Sequence, residues 1–472
     1  MVLLLVLSTA LVVAISVAFT ASAPLAWRLL ILAASVLPQW LFVPVGAQHL
    51  WAVLVISRYR RPIRTAFRDR LFLLVVALAG FYTVSLLRGP DPTVGYRMTA
   101  NLVVLAMVIS VALAVADRQR GDLLAVSMGV LVPVVIAQSV SVWLFRLFPG
   151  LENGYLRSRV ADLLMGGRAS RLFSTLPDNV TSSDKAGGLL FYNGNEASMV
   201  MAVWALLLIA TARGGRARAY RLVALLAASG SLMTGSKTAI TLMVIIPAGA
   251  LLLPRLLSRR SLPTTLLVVL VATPAVGWLV SYGLTSAASF RTASETSATA
   301  REDLWDAAGR MFERSPLSGL GFGGWEVAWP AVAQGYDLPR YLPPHNFLIY
   351  SWASVGLLGP VLMAAIIFVY MLRSLARVRS AVDVREGTRR SMELAAVAWI
   401  TAHGMFDTSA FFGSAQTIPL FGLLLSRVIP SRPIAADSFP AHPGVAALPT
   451  SPGGRRGVAL APAAPATSGG RL

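Results

Sequence analysis

The feature that most constrains this chain is the recurrence of apolar stretches of 18 residues or more along nearly all of its length. A helix rises about 1.5 Å per residue, so about 20 residues cross the roughly 30 Å hydrocarbon core of a bilayer. Backbone in lipid must satisfy its own hydrogen bonds, and a helix does so within one segment. Twelve stretches can be drawn, near residues 2–20, 29–56, 71–87, 98–116, 123–147, 196–212, 220–235, 238–254, 263–283, 346–372, 391–408 and 411–429. They predict an all-α polytopic membrane protein. The second holds Pro38 and Pro44 and is expected to kink or break. The first has no basic residues ahead of its apolar run and reads as a membrane span rather than a cleaved signal peptide.

Charge sets the orientation. The net charge is +20, and the chain has no cysteine, which excludes disulfides, thiolate catalysis and cysteine-ligated metals. On a soluble protein such basicity would suggest nucleic acid. Here the basic residues lie mostly in short loops between spans, so no nucleic-acid partner is expected and insertion polarity is the reading. With the N-terminus inside, the cytoplasmic loops carry 21 basic residues, against Arg28, Arg88, Arg97 and Lys237 in the short external loops. Both termini are then cytoplasmic. The expected organisation is helices 1–5 in residues 1–147, an external loop at 148–195 and helices 6–9 in 196–283. A large external loop follows at 284–345, then helices 10–12 in 346–429. Residues 430–472, rich in Pro, Ala, Gly and Ser, cannot bury a core and are expected to be disordered.

The large loop has structure of its own. Leu304, Ala308, Met311 and Phe312 recur at helical spacing, which predicts an amphipathic helix near 300–315 resting on the outer ends of the spans. Thr299 and Glu302 form a capping-box pattern, so the helix is expected to begin there. Arg301 then falls in its first turn, where free N–H groups and the dipole favour an anion. Either an anion sits between arginine and helix end, or Arg301 is a solvated partner of Glu302 or Asp303. The string "SGLGFGGW" (318–325) follows no strand, so it is not a dinucleotide fingerprint; its glycines suit tight turns and close backbone approach.

Four further groups stand near predicted span ends. His345 follows Pro343 and Pro344 and opens the tenth span, at the outer lipid–water boundary. Asn346 beside it caps the helix or holds the imidazole ring. Ile349, Trp352, Gly356 and Gly359 share a face, and the two glycines would admit another helix closely. His403 and Asp407 stand at i and i+4, either as a structural pair between helices or as part of a polar cavity. Lys237, in "GSKTA", either snorkels to the interface or binds an anion. Basic groups suit a phosphate and a histidine suits proton transfer, so the set argues for group transfer from a phosphate-bearing lipid carrier.

In four ordered segments the chain resembles the superfamily of O-antigen ligases and Wzy polymerases, bacterial membrane glycosyltransferases. These are "FYNGNEASMVM", "TGSKTAITLMV", "AREDLWDAAGRMFERSPLSGLGFGGW" and "PPHNFLIYSWASVGLLGP", over about residues 190–425. The resemblance implies a GT-C-like fold of about twelve spans with a large periplasmic loop before the tenth. It implies an undecaprenyl-diphosphate-linked glycan as donor and a glycan, lipid or protein as acceptor. It also implies metal-independent, inverting transfer with no cofactor, at the outer face of the cytoplasmic membrane. By position Arg301 matches the loop arginine, His345 the histidine near the acceptor and Asp407 a late acidic residue. His345 and Asp407 are thus the expected catalytic pair, and Lys237, Arg301, Asn346 and His403 the expected substrate-binding residues. One departure is Ser236-Lys237, where the family usually has Ser-Arg; lysine keeps the charge and loses the bidentate fork. A lipid-linked glycan flippase and a non-catalytic assembly protein are the alternative readings.

Overall fold

The computed structural model describes residues 17, 22–36, 47–58, 66–116, 122–165, 169, 185–257, 288–336, 343–407 and 416–430. The spans expected at 2–20, apart from Val17, and at 263–283, and the tail from 431 on, lie outside the described residues. Among the described residues every regular element is helical. We number them α1 (Ala23–Val36), α2 (Ala47–Arg58), α3 (Arg70–Arg88), α4 (Pro92–Ala116), α5 (Leu123–Leu147), α6 (Pro149–Leu156), α7 (Arg159–Met165) and α8 (Gly194–Thr211). Then come α9 (Ala217–Met233), α10 (Lys237–Leu256), α11 (Ala288–Phe312), α12 (Gly324–Val332), α13 (Phe347–Val355), α14 (Leu358–Arg379), α15 (Val384–Gly404) and α16 (Thr417–Ser426).

Six of these, α3, α4, α5, α8, α10 and α14, are long and apolar enough to cross a membrane. Helix starts follow local chemistry. Asp69, Asp122, Asn193 and Asp383 each accept a backbone N–H in the first turn of α3, α5, α8 and α15. The helix α8 is central: nearly all its residues are buried, and it packs against α5, α9, α10 and α15. On one side of it α4 gathers α2, α3 and α16; on another α14 lies between α3 and α15.

Within the stretch 29–56, expected to kink or break, the described residues form two helices, α1 and α2, with Trp51 Nε1 donating to the Ala26 carbonyl at 2.9 Å. Two other expectations are corrected. Arg28 lines a cavity together with Asp122, Arg213 and Arg216, so it lies at the end of the bundle assigned to the cytoplasmic loops and not at the opposite one. The stretch 346–372 is also two helices. Gly356 breaks it with φ 84° and ψ −176°, a conformation that only glycine adopts readily.

That break folds the chain back. The Gly359 Cα comes so close that an added Cβ would lie 2.4 Å from Ser351 Oγ. Tyr82 and Ser85 of α3 bond to Ser351 and to the Ser354 carbonyl. These contacts run α13 back along α14 rather than in line with it. Gly359 thus admits another helix, α13, as its small size allows, whereas Gly356 admits a loop: a Cβ on Gly356 would lie 2.0 Å from the Leu317 carbonyl, and one on Gly319 2.5 Å from the Gly356 nitrogen. The same loop docks on the α3–α4 turn, where Gly321 meets the Gly89 backbone and Asp91 N donates to the Phe322 carbonyl at 3.0 Å. The glycine string is thus a backbone-to-backbone lock, in keeping with the close approach its residues allow.

Candidate active site

Helix α11 delivers Arg301. Its stripe is buried as expected: Leu304, Ala307, Ala308, Met311 and Phe312 form a satellite core with Trp325 and Trp329 of α12 and Ala353 of α13. Phe312 stacks on Trp352 at 3.7 Å, and Trp305 Nε1 donates to the Pro344 carbonyl at 3.1 Å. The helix therefore rests on α12 and α13 rather than broadly on the ends of the spans. Its start is also different. It begins at Ala288, and Thr299 and Glu302 lie inside it. The intervening sequence has neither proline nor glycine, so nothing stops the helix from extending upstream. Arg301 is consequently not in the first turn of α11, and the α11 N-terminus does not stand beside it.

His345 is held next to this helix. It has φ 46°, the one positive value on a non-glycine residue among the described residues. Left-handed backbone on such a residue costs on the order of 1–3 kcal/mol and persists only where neighbours impose it. Here Trp305 holds the carbonyl just before His345, and Asn346 just after it caps α13, its Oδ1 accepting from Leu348 N at 2.9 Å and Ile349 N at 3.2 Å. Capping, rather than contact with the ring, is what Asn346 does in the structure. Because α13 folds back on α14, His345 does not head a span. Between it and the Gly356 turn lie the nine residues of α13, about 13 Å of helix at about 1.5 Å each.

Across from it α15 ends at Gly404, so His403 and Asp407 do not share a helical face; Asp407 follows a turn through Met405 and Phe406. They remain electrostatic neighbours, and both are buried. Asp407 also acts on Arg301 and on His345. The Arg301 guanidinium lies over the Phe406 ring at 5.8 Å, within cation–π range. Four of the expected residues, Arg301, His345, His403 and Asp407, are thus brought into one group.

Lys237 is joined less directly. It opens α10 behind the Ser236 cap, and the Thr234 carbonyl of the same turn accepts from Ala186 N at 3.2 Å. That bond brings up a residue to which the sequence assigned no role, Lys185, whose charge acts on His345. The segment after Lys185 is clamped from α5 and α6. Gln138 donates to the Gly187 carbonyl at 2.7 Å and accepts from Leu190 N at 2.9 Å, while Glu152 accepts from Gly187 N at 2.7 Å. Gln138 and Glu152 are isolated polar residues in sequence, and only their burial and partners reveal them.

The electrostatics suit a neutral base beside cations. Burial, then Arg301 and Lys185, push the His345 imidazole below the ordinary histidine range, against Asp407, which raises it. Burial also lowers Arg301, and Asp407 opposes that. Hydrogen-bonding capacity is left over: Arg301 Nε and both His403 ring nitrogens have no hydrogen-bond partner among the described residues. Among the described residues, no group of three His, Asp or Glu side chains is arranged to hold a metal ion.

A helical bundle with apolar spans, and a group of half-buried cations, histidines and one buried carboxylate at one end, makes a membrane protein with a charged polar cluster there. The family comparison narrows that class. Residues 222–364, from α9 into α14 and including Lys237, Arg301 and His345, match the family model described as O-antigen ligase. The match is narrower than the 190–425 suggested by the motifs, and Lys185, His403 and Asp407 join it only in three dimensions. No curated protein matches the chain.

Proposed function

We propose that this protein is a membrane glycosyltransferase that moves glycan from an undecaprenyl-diphosphate-linked donor to an acceptor hydroxyl at the outer face of the cytoplasmic membrane. The observation that carries the reading is the convergence of Arg301, His345, His403 and Asp407 on one buried place with unmet hydrogen-bonding capacity. Arg301 engages the diphosphate, with Lys237 and Lys185 adding positive charge; the helix dipole invoked from the sequence plays no part. Charge-assisted bonds to phosphate are the strong kind. His345, neutral near pH 7, accepts the acceptor's proton. The acceptor oxygen forms a bond to the anomeric carbon, the bond from that carbon to the diphosphate oxygen breaks, and the lipid diphosphate leaves with the electron pair. One displacement inverts the anomeric centre, and the leaving group is good enough to need neither metal nor cofactor. Asp407 holds Arg301 and the histidines in place, and His403 supplies a hydrogen bond to the substrate.

In this reading the basic end of the bundle faces the cytoplasm, the His345 end faces the periplasm, and the fold is GT-C-like with about twelve spans. Reporter fusions at residues 300 and 385 should read outside and inside. The decisive experiment is transfer by the purified protein from an undecaprenyl-diphosphate-linked glycan, with the product's anomeric configuration read by NMR. Lipid-linked donor moved across vesicles without glycan transfer would instead support a flippase. Donor that is neither bound nor turned over would leave an assembly role.

A further inference from the structure

The end of the bundle away from His345 contains a cavity of about 610 Å³, lined by Arg28 of α1, Arg213 and Arg216 between α8 and α9, and one face of α5. We propose that this cleft is a binding site for the headgroup of an anionic phospholipid. The charge points there first. Arg28 and Arg216 form no ion pair among the described residues. Arg213 reaches Glu386 only at 3.7 Å, and that carboxylate already has Arg390 at 3.0 Å and Arg389 at 3.4 Å. The one carboxylate in the cleft wall, Asp122, is engaged: its Oδ1 accepts from Arg427 at 2.8 Å and from Leu124 N at 3.0 Å. Guanidinium groups from two separate segments, α1 and the α8–α9 link, therefore line one space, and among the described residues only Arg213 of them has an ion pair, the 3.7 Å contact with Glu386. Their planar forks fit phosphate oxygens bidentately.

The rest of the wall decides the source of the phosphate. Below the arginines the cleft continues along Val126, Gly129 and Val130 of α5, which is apolar. Gly129 keeps it open, since a Cβ there would meet the Tyr220 hydroxyl at 3.1 Å. Past Tyr220, α9 presents Leu222 and Leu225 outward, 61% and 68% exposed, as on a lipid-facing surface. A soluble phosphate would need no such wall; a lipid places its phosphate among the arginines and its chain against α5. Basic pockets between membrane helices at the cytoplasmic side bind such headgroups. Helix α8 separates this cleft from the other site: it ends at Thr211 in the cleft, and its 18 residues begin at Gly194, about 25 Å away.

The test uses the purified full-length protein in detergent, with cardiolipin, phosphatidylethanolamine and inorganic phosphate as probes, read by native mass spectrometry. Cardiolipin should be retained as a stoichiometric adduct, phosphatidylethanolamine should not, and inorganic phosphate at equal concentration should not displace it. The double variant Arg28→Ala/Arg216→Ala should lower cardiolipin retention at least tenfold. Arg218→Ala, an exposed arginine outside the cleft, should leave it unchanged. Gly129→Leu keeps every charge and narrows the apolar wall, and should also lower retention. Equal retention of both lipids, an unchanged double variant, an equal loss in Arg218→Ala or an unaffected Gly129→Leu would each overturn the assignment. Displacement by inorganic phosphate would move the site to a soluble anion.

Discussion

Two clusters of charge, about 15 Å apart along α15, follow opposite rules. Around Glu393 the charges are matched. Its carboxylate accepts from Arg427 at 2.9 and 2.8 Å and from Arg377 at 3.1 Å; Arg427 also reaches Asp122, and nearby Arg373 holds Asp69 at 2.9 Å. Around Asp407 one carboxylate serves Arg301 and two histidines, and the Arg301 and His403 nitrogens named above lack hydrogen-bond partners among the described residues. The first arrangement joins α3, α5, α14, α15 and α16 into one frame. The second leaves capacity that a bound anion can satisfy. Charge of the same kind in the same bundle is structural where it is complete and receptive where it is not.

The comparison breaks most sharply at His345. His345→Ala should keep donor binding and folding but lower single-turnover transfer by about 10²–10⁴-fold, the range of general-base help. His345→Asn, which can still occupy left-handed backbone, should be equally slow. Near wild-type transfer by His345→Asn would reduce the residue to a turn former. At the matched cluster the effect should be on stability instead. Glu393→Ala leaves Arg377 without a carboxylate and Arg427 with Asp122 alone, and should cost about 3 kcal/mol, seen as a lowered thermal midpoint with or without donor lipid. Asp407→Ala should cost far less stability than Glu393→Ala; an equal loss would erase the distinction between the two ends.

A smaller effect tests the frame that carries His345. Gly356→Ala forces a Cβ against the Leu317 carbonyl in a glycine-only conformation, and should destabilise by about 3 kcal/mol. Transfer should fall with it, because α13 and the loop lose their seat together. The smallest effect is in pH dependence. The base form of His345 is neutral and its protonation is disfavoured by burial, Arg301 and Lys185, so activity should persist as pH falls through the ordinary histidine range and fail only below it. Lys185→Gln should move that acid limb to higher pH, because a charge opposing protonation is gone. Asp407→Asn should move it lower. Limbs that do not move, in kcat/KM profiles of the residual activity, would separate His345 from proton transfer.

Much was legible in order along the chain. Apolar length identified the long spans, since a bilayer imposes one thickness on every crossing helix. The periodic stripe of α11 and the close approach of the glycines in "SGLGFGGW" were readable because they depend on neighbours in sequence. Arg301, His345, His403 and Asp407 could be named one by one. Their meeting could not be derived from spacing, because it depends on where α13 turns. The sequence around Gly356 is apolar enough to continue a span, and only packing of the 317–321 loop into the break turns it back. The start of α11 went unread for a related reason: a capping box is a local preference, and a helix without breakers can extend through it. Arg28, Lys185, Gln138 and Glu152 have no local signature at all. Their partners lie far off in sequence, so only the tertiary structure could decide that Arg28 faces the basic cleft while Lys185, held by a clamped loop, faces the histidine.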